Sequence, residues 1–208
     1  PDFVLKESMK PLSDTIQKEG LSEREKDSLS FLRSEIVKNI SDKMFFTLYL
    51  PEMNKELDSL GLNVTFNKPP EKFFTDTTSN AYIFDIAQLQ LQEYSEEIYD
   101  YETFGAETYY KKHIRDGLLL NSWVKFRKVN SDKKPVLLFA ELSRTDQIEG
   151  YFHRNQLTGK VKYSYKKDDL ELSDAKEIIK TAGRKHARYI YDYLMNQYIK
   201  AMMKNDEM

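Results

Sequence analysis

The sequence predicts an α+β fold: a single mixed, largely antiparallel sheet with helices packed on it and a long C-terminal helix. Three observations carry this. The stretch Asn80–Tyr101, NAYIFDIAQLQLQEYSEEIYDY, is long and β-rich. Helical periods precede it, and strand alternation follows it before one last long helical period. A chain of 208 residues, 40% hydrophobic, can also build a real core, and no Ser/Gly-rich linker or internal repeat divides it. One domain over residues 1–208 is expected.

Leu5, Met9, Leu12 and Ile16 recur at the spacing of one helix face. Residues 1–20 therefore read as an irregular or helical N-terminal segment, interrupted at Pro11 and stopped at Gly20. Ser22 and Glu25 form a capping box that opens the next helix. Its stripe would be Leu29, Leu32, Ile36 and Ile40, and its end would fall near residues 41–43. The run Met44–Leu50, MFFTLYL, is expected as a strand, although so short a period also permits a continuing helix. Pro51 suits the first turn of a helix over Glu52–Leu60, with Met53, Leu57 and Leu60 inward and Gly61 as its stop. Leu62–Phe66 reads as a strand and Asn67–Ser79, with Pro69 and Pro70, as a loop.

In the central stretch Leu89 and Leu91 alternate with Gln88, Gln90 and Gln92, while apolar residues before them occupy both parities. The change of phase near Ile86–Ala87 predicts a β-bulge. Asp85 would need a partner if buried. Glu102–Arg115 is expected as a polar, Tyr-rich connection. Strands Leu118–Val129 and Val136–Leu142 follow, joined by a turn at Asn130–Lys134; so short a connection favours antiparallel neighbours. Lys160–Lys166 alternates fully, with Val161, Tyr163 and Tyr165 on one side and lysines on the other, as an edge or solvent-facing strand requires. Gly150 and Gly159 mark turns before it, and Tyr151–Phe152 extends the preceding hairpin. From Ser173 to about Met203 a long helix carries Ile179, Ala182, His186, Ile190, Tyr193, Gln197 and Ala201 on one side. Gly183 within it predicts close approach by another element.

Composition excludes several functions. With 32 Lys and Arg against 34 Asp and Glu, bulk charge gives no reason to expect nucleic acid. No apolar run is long enough to span a membrane. The absence of cysteine removes disulfides, thiolate metal sites and cysteine nucleophiles. His113, His153 and His186 lie in no metal-ligand spacing, so no metal or cofactor is expected. A nuclease would want an acid and then Glu-x-Lys or Asp-x-Lys on a strand. Glu141 is followed by Ser143, and the Asp132–Lys134 and Asp174–Lys176 pairs fall in a turn and at a helix start. Phosphate-cradling glycine loops and the GxSxG elbow are absent. Asn39 and Asn63 begin glycosylation triplets that matter only in a eukaryotic secretory chain.

The most unusual composition is Glu93–Tyr110, with six acids, no Lys or Arg, and tyrosines threaded through. Tyr94, Tyr99, Tyr101, Glu96, Glu97, Tyr109 and Tyr110 are the candidate binding residues, for a basic protein, a cation or a sugar ring. The competing reading is a sheet margin whose acids face Lys125, Arg127 and Lys128 on a neighbouring strand, and those basic residues favour it. No catalytic residue is assigned. An enzyme would have to draw on Asp85, Glu141 or His186, and a lipid or small-molecule carrier on a cavity between helix and sheet.

The segment SNAYIFDIAQLQLQEY and the long closing helix resemble envelope modules of bacterial lipoproteins. Such modules include the amino-terminal domain of TolB and the periplasmic part of curli-secretion lipoproteins, and the chain also resembles lipoproteins of Bacteroidetes-type bacteria. The resemblance is one of element order, and no site residue is carried over. It implies a non-enzymatic protein of the periplasm or outer membrane that contacts another envelope protein. Membrane association would come only from a lipid anchor upstream of Pro1. A chain beginning at Pro1 is what processing after a signal peptide or a lipid-carrying cysteine leaves, as is an excised cytoplasmic domain.

Overall fold

The computed structural model describes residues 4–10, 22–64, 81–129 and 134–206. The architecture is α+β, with helices packed on a four-stranded mixed sheet, a separate two-stranded hairpin and a long C-terminal helix. The expected loop Asn67–Ser79, most of the turn after Val129 and the distal part of the N-terminal segment lie outside the described residues.

The first strand, β1 (Leu5–Ser8), corrects the helical expectation for this segment. It pairs in parallel with β2 (Tyr82–Phe104), matching Leu5 to Gln90 and Ser8 to Glu93. Strand pairing satisfies its backbone, Lys6 reaches Asp42 at 2.6 Å, and Glu7 accepts from the amides of Gln90 and Gln92. A few residues at helical spacing do not outweigh a sheet edge that takes up their backbone groups.

Helix α1 (Glu23–Arg33) opens on the expected Ser22–Glu25 capping box. It stops eight residues short of the expected end, with the Ser34 hydroxyl donating to the Phe31 carbonyl. The next amides, those of Glu35, Ile36 and Val37, donate to the Glu93 carboxylate instead of continuing the helix. Leu32, expected in the buried stripe, is exposed.

Helix α2 (Asp42–Ser59) overturns two expectations together. Met44–Leu50 is helix rather than strand, and Pro51 lies inside the helix instead of opening one. The decisive pattern is Phe45, Tyr49, Met53 and Leu57, all buried and four residues apart, which runs straight through the proline. An interior proline costs about 3 kcal/mol. Burial of large side chains at about 1.5–3 kcal/mol each outweighs that. Gly61, at φ 76°, ends the helix as expected. Leu62–Val64 is irregular rather than a strand, and Thr65–Phe66 fall outside the described residues.

Strand β2 runs antiparallel to β3 (Glu107–Lys128), and β3 to β4 (Val136–Thr145), in the order β1-β2-β3-β4. The bulge falls between Ile86 and Gln88, where the phase change put it. Glu102–Arg115 is not a loose connection: β2 continues to Phe104, and β3 begins at Glu107 across a two-residue turn at Gly105, φ 67°. At about 3.3 Å per residue β2 is about 75 Å long. Its part from Ser95 onward, with the start of β3, extends beyond both β1 and β4 as an arm.

Strands β5 (Gln147–Arg154) and β6 (Val161–Asp168) form the second sheet, set off where Asp146 turns the chain out of β4. Helix α3 (Leu172–Asp206) then packs against α2 and the sheet through Ala175, Ile178, Ile179, Ala182 and Ile190. With them Leu89, Leu91, Leu118 and Leu120 complete the core.

Gly183 is the close approach: a Cβ there would sit 2.5 Å from the carbonyl oxygen of Tyr49 and 3.1 Å from the Met53 nitrogen. Gly→Ala inside a helix ordinarily stabilises by about 1 kcal/mol. Here the sign should reverse, and Gly183→Ala should cost about 1–3 kcal/mol in urea unfolding. A stabilised variant would show that α2 and α3 do not touch at this point.

Candidate functional site

Strand parity divides the arm into two faces. Ile98, Asp100 and Phe104 point to one side of the ribbon, with His113 and Tyr109 opposite them on β3. The β5–β6 hairpin packs on this side. The Tyr163 hydroxyl lies 2.8 Å from His113 Nε2 and donates to Asp100. Phe152 packs on Tyr163 and Tyr109, and Tyr165 on His113. Burial, and then the Asp100 carboxylate, push the Tyr163 hydroxyl above its ordinary pKa, so it stays a donor. Gly150 makes this possible, because any Cβ there would overlap the Tyr163 ring and hydroxyl.

Glu97, Tyr99, Tyr101 and Thr103 point to the other side, beside Ile114, Lys112, Tyr110 and Thr108. This face is open. Tyr101 is 73% and Tyr110 69% exposed, with ring centroids 6.5 Å apart, and Tyr99 and Ile114 are more than half exposed. Glu97 pairs with Lys112 and also accepts from the Tyr99 hydroxyl at 3.2 Å.

The seven candidate binding residues thus separate. Tyr99, Tyr101, Tyr110 and Glu97 share the open face. Tyr109 is packed beneath the hairpin, Glu96 is held by Arg115 at 2.6 Å, and Tyr94 lies over Gly117. Glu96, Glu97 and Glu93 do have cationic partners, but these are Arg115, Lys112 and Lys10, not the Lys125, Arg127 and Lys128 expected. Those three stand in register with Asp85, Ile83 and Tyr82 at the far end of the ribbon. Ile114 and Lys112 are missing from the sequence candidates because the polar composition of Glu102–Arg115 reads as a connection. Carrying the two-residue period through Gly105 would have aligned Tyr101 with Tyr110.

At the base of the arm is a cavity of about 290 Å³, lined by Lys10, Glu93, Asp116, Asp146 and Lys167 among others. Burial alone would raise the pKa of Glu93, but Lys10 and the amides of residues 35–37 more than offset this and hold it below the usual range. Asp146 is likewise held low against burial by Lys167 and the amides of Leu170 and Asp116. Every acid here with a buried side chain already has a cation and backbone donors, which is the chemistry of a structural clasp rather than a vacant ligand site.

The residues an enzyme would have needed are not brought together. Asp85 and Glu141 are exposed on the sheet face away from the helices. His186 is buried on the opposite side, with Nδ1 2.6 Å from the Tyr49 hydroxyl and Nε2 2.7 Å from Ser122 Oγ. The Ser122–His186–Tyr49 chain is sealed in the core, where no substrate reaches it. Comparison with protein-family models, with curated proteins and with solved structures returned no match for this chain.

Burial pushes the His186 pKa down to about 4 from an ordinary 6.5. The unfolded chain takes up this proton near pH 6.5 and the folded chain only near 4, so the contribution of the neutral ring is complete above pH 6.5 and lost as pH falls through about 4. The loss should reach about 3 kcal/mol. Urea unfolding across that window should show it, and His186→Gln should flatten the slope while lowering stability throughout. An unchanged slope in the variant would mean that another group titrates.

Proposed function

We propose that the protein is a non-enzymatic binding module of the bacterial cell envelope, which contacts another protein through the open tyrosine face of its arm. One observation carries this reading: Tyr99, Tyr101, Tyr110 and Ile114 stand side by side in solvent, while on the opposite face of the same ribbon His113, Tyr109 and Asp100 are engaged by the β5–β6 hairpin. Tyrosine offers a large contact area, a polar tip and few rotamers to freeze, which is why it is enriched at the centres of interfaces. The β5–β6 hairpin stiffens the ribbon from behind, so little ordering is left to oppose binding. The envelope setting rests on the resemblance of element order to lipoprotein modules.

The test is photocrosslinking in the cells of origin, with a benzophenone side chain at position 101 and, as control, at the exposed Lys38. A discrete adduct is expected from position 101 and not from 38, recovered with the cell envelope and abolished by Tyr99→Ser with Tyr110→Ser. Identical adducts from both positions, or none from 101, would refute an interface on the arm.

A further inference from the structure

The single tryptophan of the chain is not in the helix-covered core. Trp123 lies on the opposite face of the four-stranded sheet, partly exposed, in one cross-strand row with Gln88 and Phe139. Its ring centroid is 5.2 Å from that of Phe139, which is 54% exposed. The next row on this face is Gln90, Asn121 and Glu141. Further along, Tyr94 lies over Gly117, where a Cβ would collide with its ring, so the ring can rest against the strand itself. Two aromatic platforms therefore flank a patch of carboxamides.

That patch has unused hydrogen-bonding capacity. Asn121 is 8% exposed, its Nδ2 makes only long bonds of 3.4 and 3.5 Å to Gln90 and Gln92, and its Oδ1 has no partner among the described residues. Gln90 and Gln92 each give an amide hydrogen to Glu7. Carboxamides donate and accept at once, as a sugar hydroxyl does. The carboxylates of Glu7 and Glu141 beside the carboxamides accept hydroxyl hydrogens, while the cations of this face, Lys125 and Arg127, stand beyond Trp123 at its far end. The exposed Leu137 extends the apolar end at Trp123 and Phe139, but four carboxamides occupy the middle of the face, where a protein interface would carry its apolar centre.

We propose that this face binds a neutral oligosaccharide, stacked on Trp123 with Phe139 at one end and on Tyr94 at the other, with Gln88, Gln90 and Glu141 bonding its hydroxyls. The site is independent of the arm's tyrosine face. Because Trp123 is the only tryptophan, its emission reports directly on occupancy. The full chain is titrated with maltohexaose, cellohexaose, chitohexaose and mannohexaose, followed by emission and by calorimetry. At least one should shift or quench the emission saturably. Phe139→Ala and Glu141→Ala, both at exposed positions that leave the fold intact, should weaken binding by about tenfold or more, while Tyr101→Ser on the arm should not change it. Silence from all four sugars at millimolar concentration, affinity unchanged in both face variants, or tighter binding of a heparin hexasaccharide titrated in parallel would each overturn the proposal.

Discussion

The buried carboxylate of Glu93 determines how the layers of this protein meet. It stands at the last β1-paired position of β2, and its two oxygens accept from the amides of Glu35, Ile36 and Val37 and from Lys10. Burying a carboxylate costs several kcal/mol, and one unpartnered there would break the fold. Charge-assisted bonds return about 1.5–3 kcal/mol each, and the lowered pKa shows that together they win. The result is positional more than energetic. The same group ends α1, holds the following 3₁₀ turn (Val37–Asn39) against the sheet, and through Lys10 reaches Asp116 on β3. Asp146 repeats the device on the other margin, joining Asp116, Leu170 and Lys167 where β4 ends. Body and arm are divided at this clasp.

Beyond the clasp no helix among the described residues covers the ribbon, and the β5–β6 hairpin supplies its rigidity. Gly150 on β5 sets that contact, and Gly117 on β3 plays the same part within the ribbon. Gly117 leaves room for Tyr94, and Gly150 for Tyr163 to reach Asp100 and His113. In each case a strand gives up the packing of one side chain so that an aromatic ring can cross its backbone. An isolated two-stranded ribbon is marginal in water, whereas two hairpins with a shared aromatic filling are not. The tyrosines on the outer face contribute nothing to that filling.

Much of the sheet was legible because alternation is a local property: the bulge at Ile86–Gln88, the second half of β3, the strands β4 and β6, and the capping box at Ser22 follow from neighbouring residues. What was not legible depended on partners distant in sequence. Residues 35–37 leave the helix because Glu93, far along the chain, takes their amides. Leu5–Ser8 is a strand because β2 offers an edge. MFFTLYL was ambiguous alone, and the four-residue recurrence Phe45, Tyr49, Met53 and Leu57 that decides it was hidden by treating Pro51 as a boundary. The aromatic segment was recognised as unusual from composition, but which of its tyrosines share the open face depended on reading Gly105 as a turn between two paired strands.

Register without a further shift after Gln88 gives the ribbon a simple rule. Odd-numbered residues of β2 face the helices in the body, as Leu89 and Leu91 do, and face solvent in the arm, as Tyr99 and Tyr101 do. Even-numbered residues do the reverse: Gln88 is open in the body, while Ile98 and Asp100 lie under the hairpin in the arm. A two-stranded ribbon with one covering layer at each level can bury only one face there. Moving the cover from one side to the other midway therefore creates two open faces of opposite parity on a single strand. The chemistry differs as the cover does, tyrosine and isoleucine on one and carboxamides beside the tryptophan on the other. Ligands on the two would not compete for space, and any coupling between them would have to pass through the Glu93 clasp, where the cover changes sides.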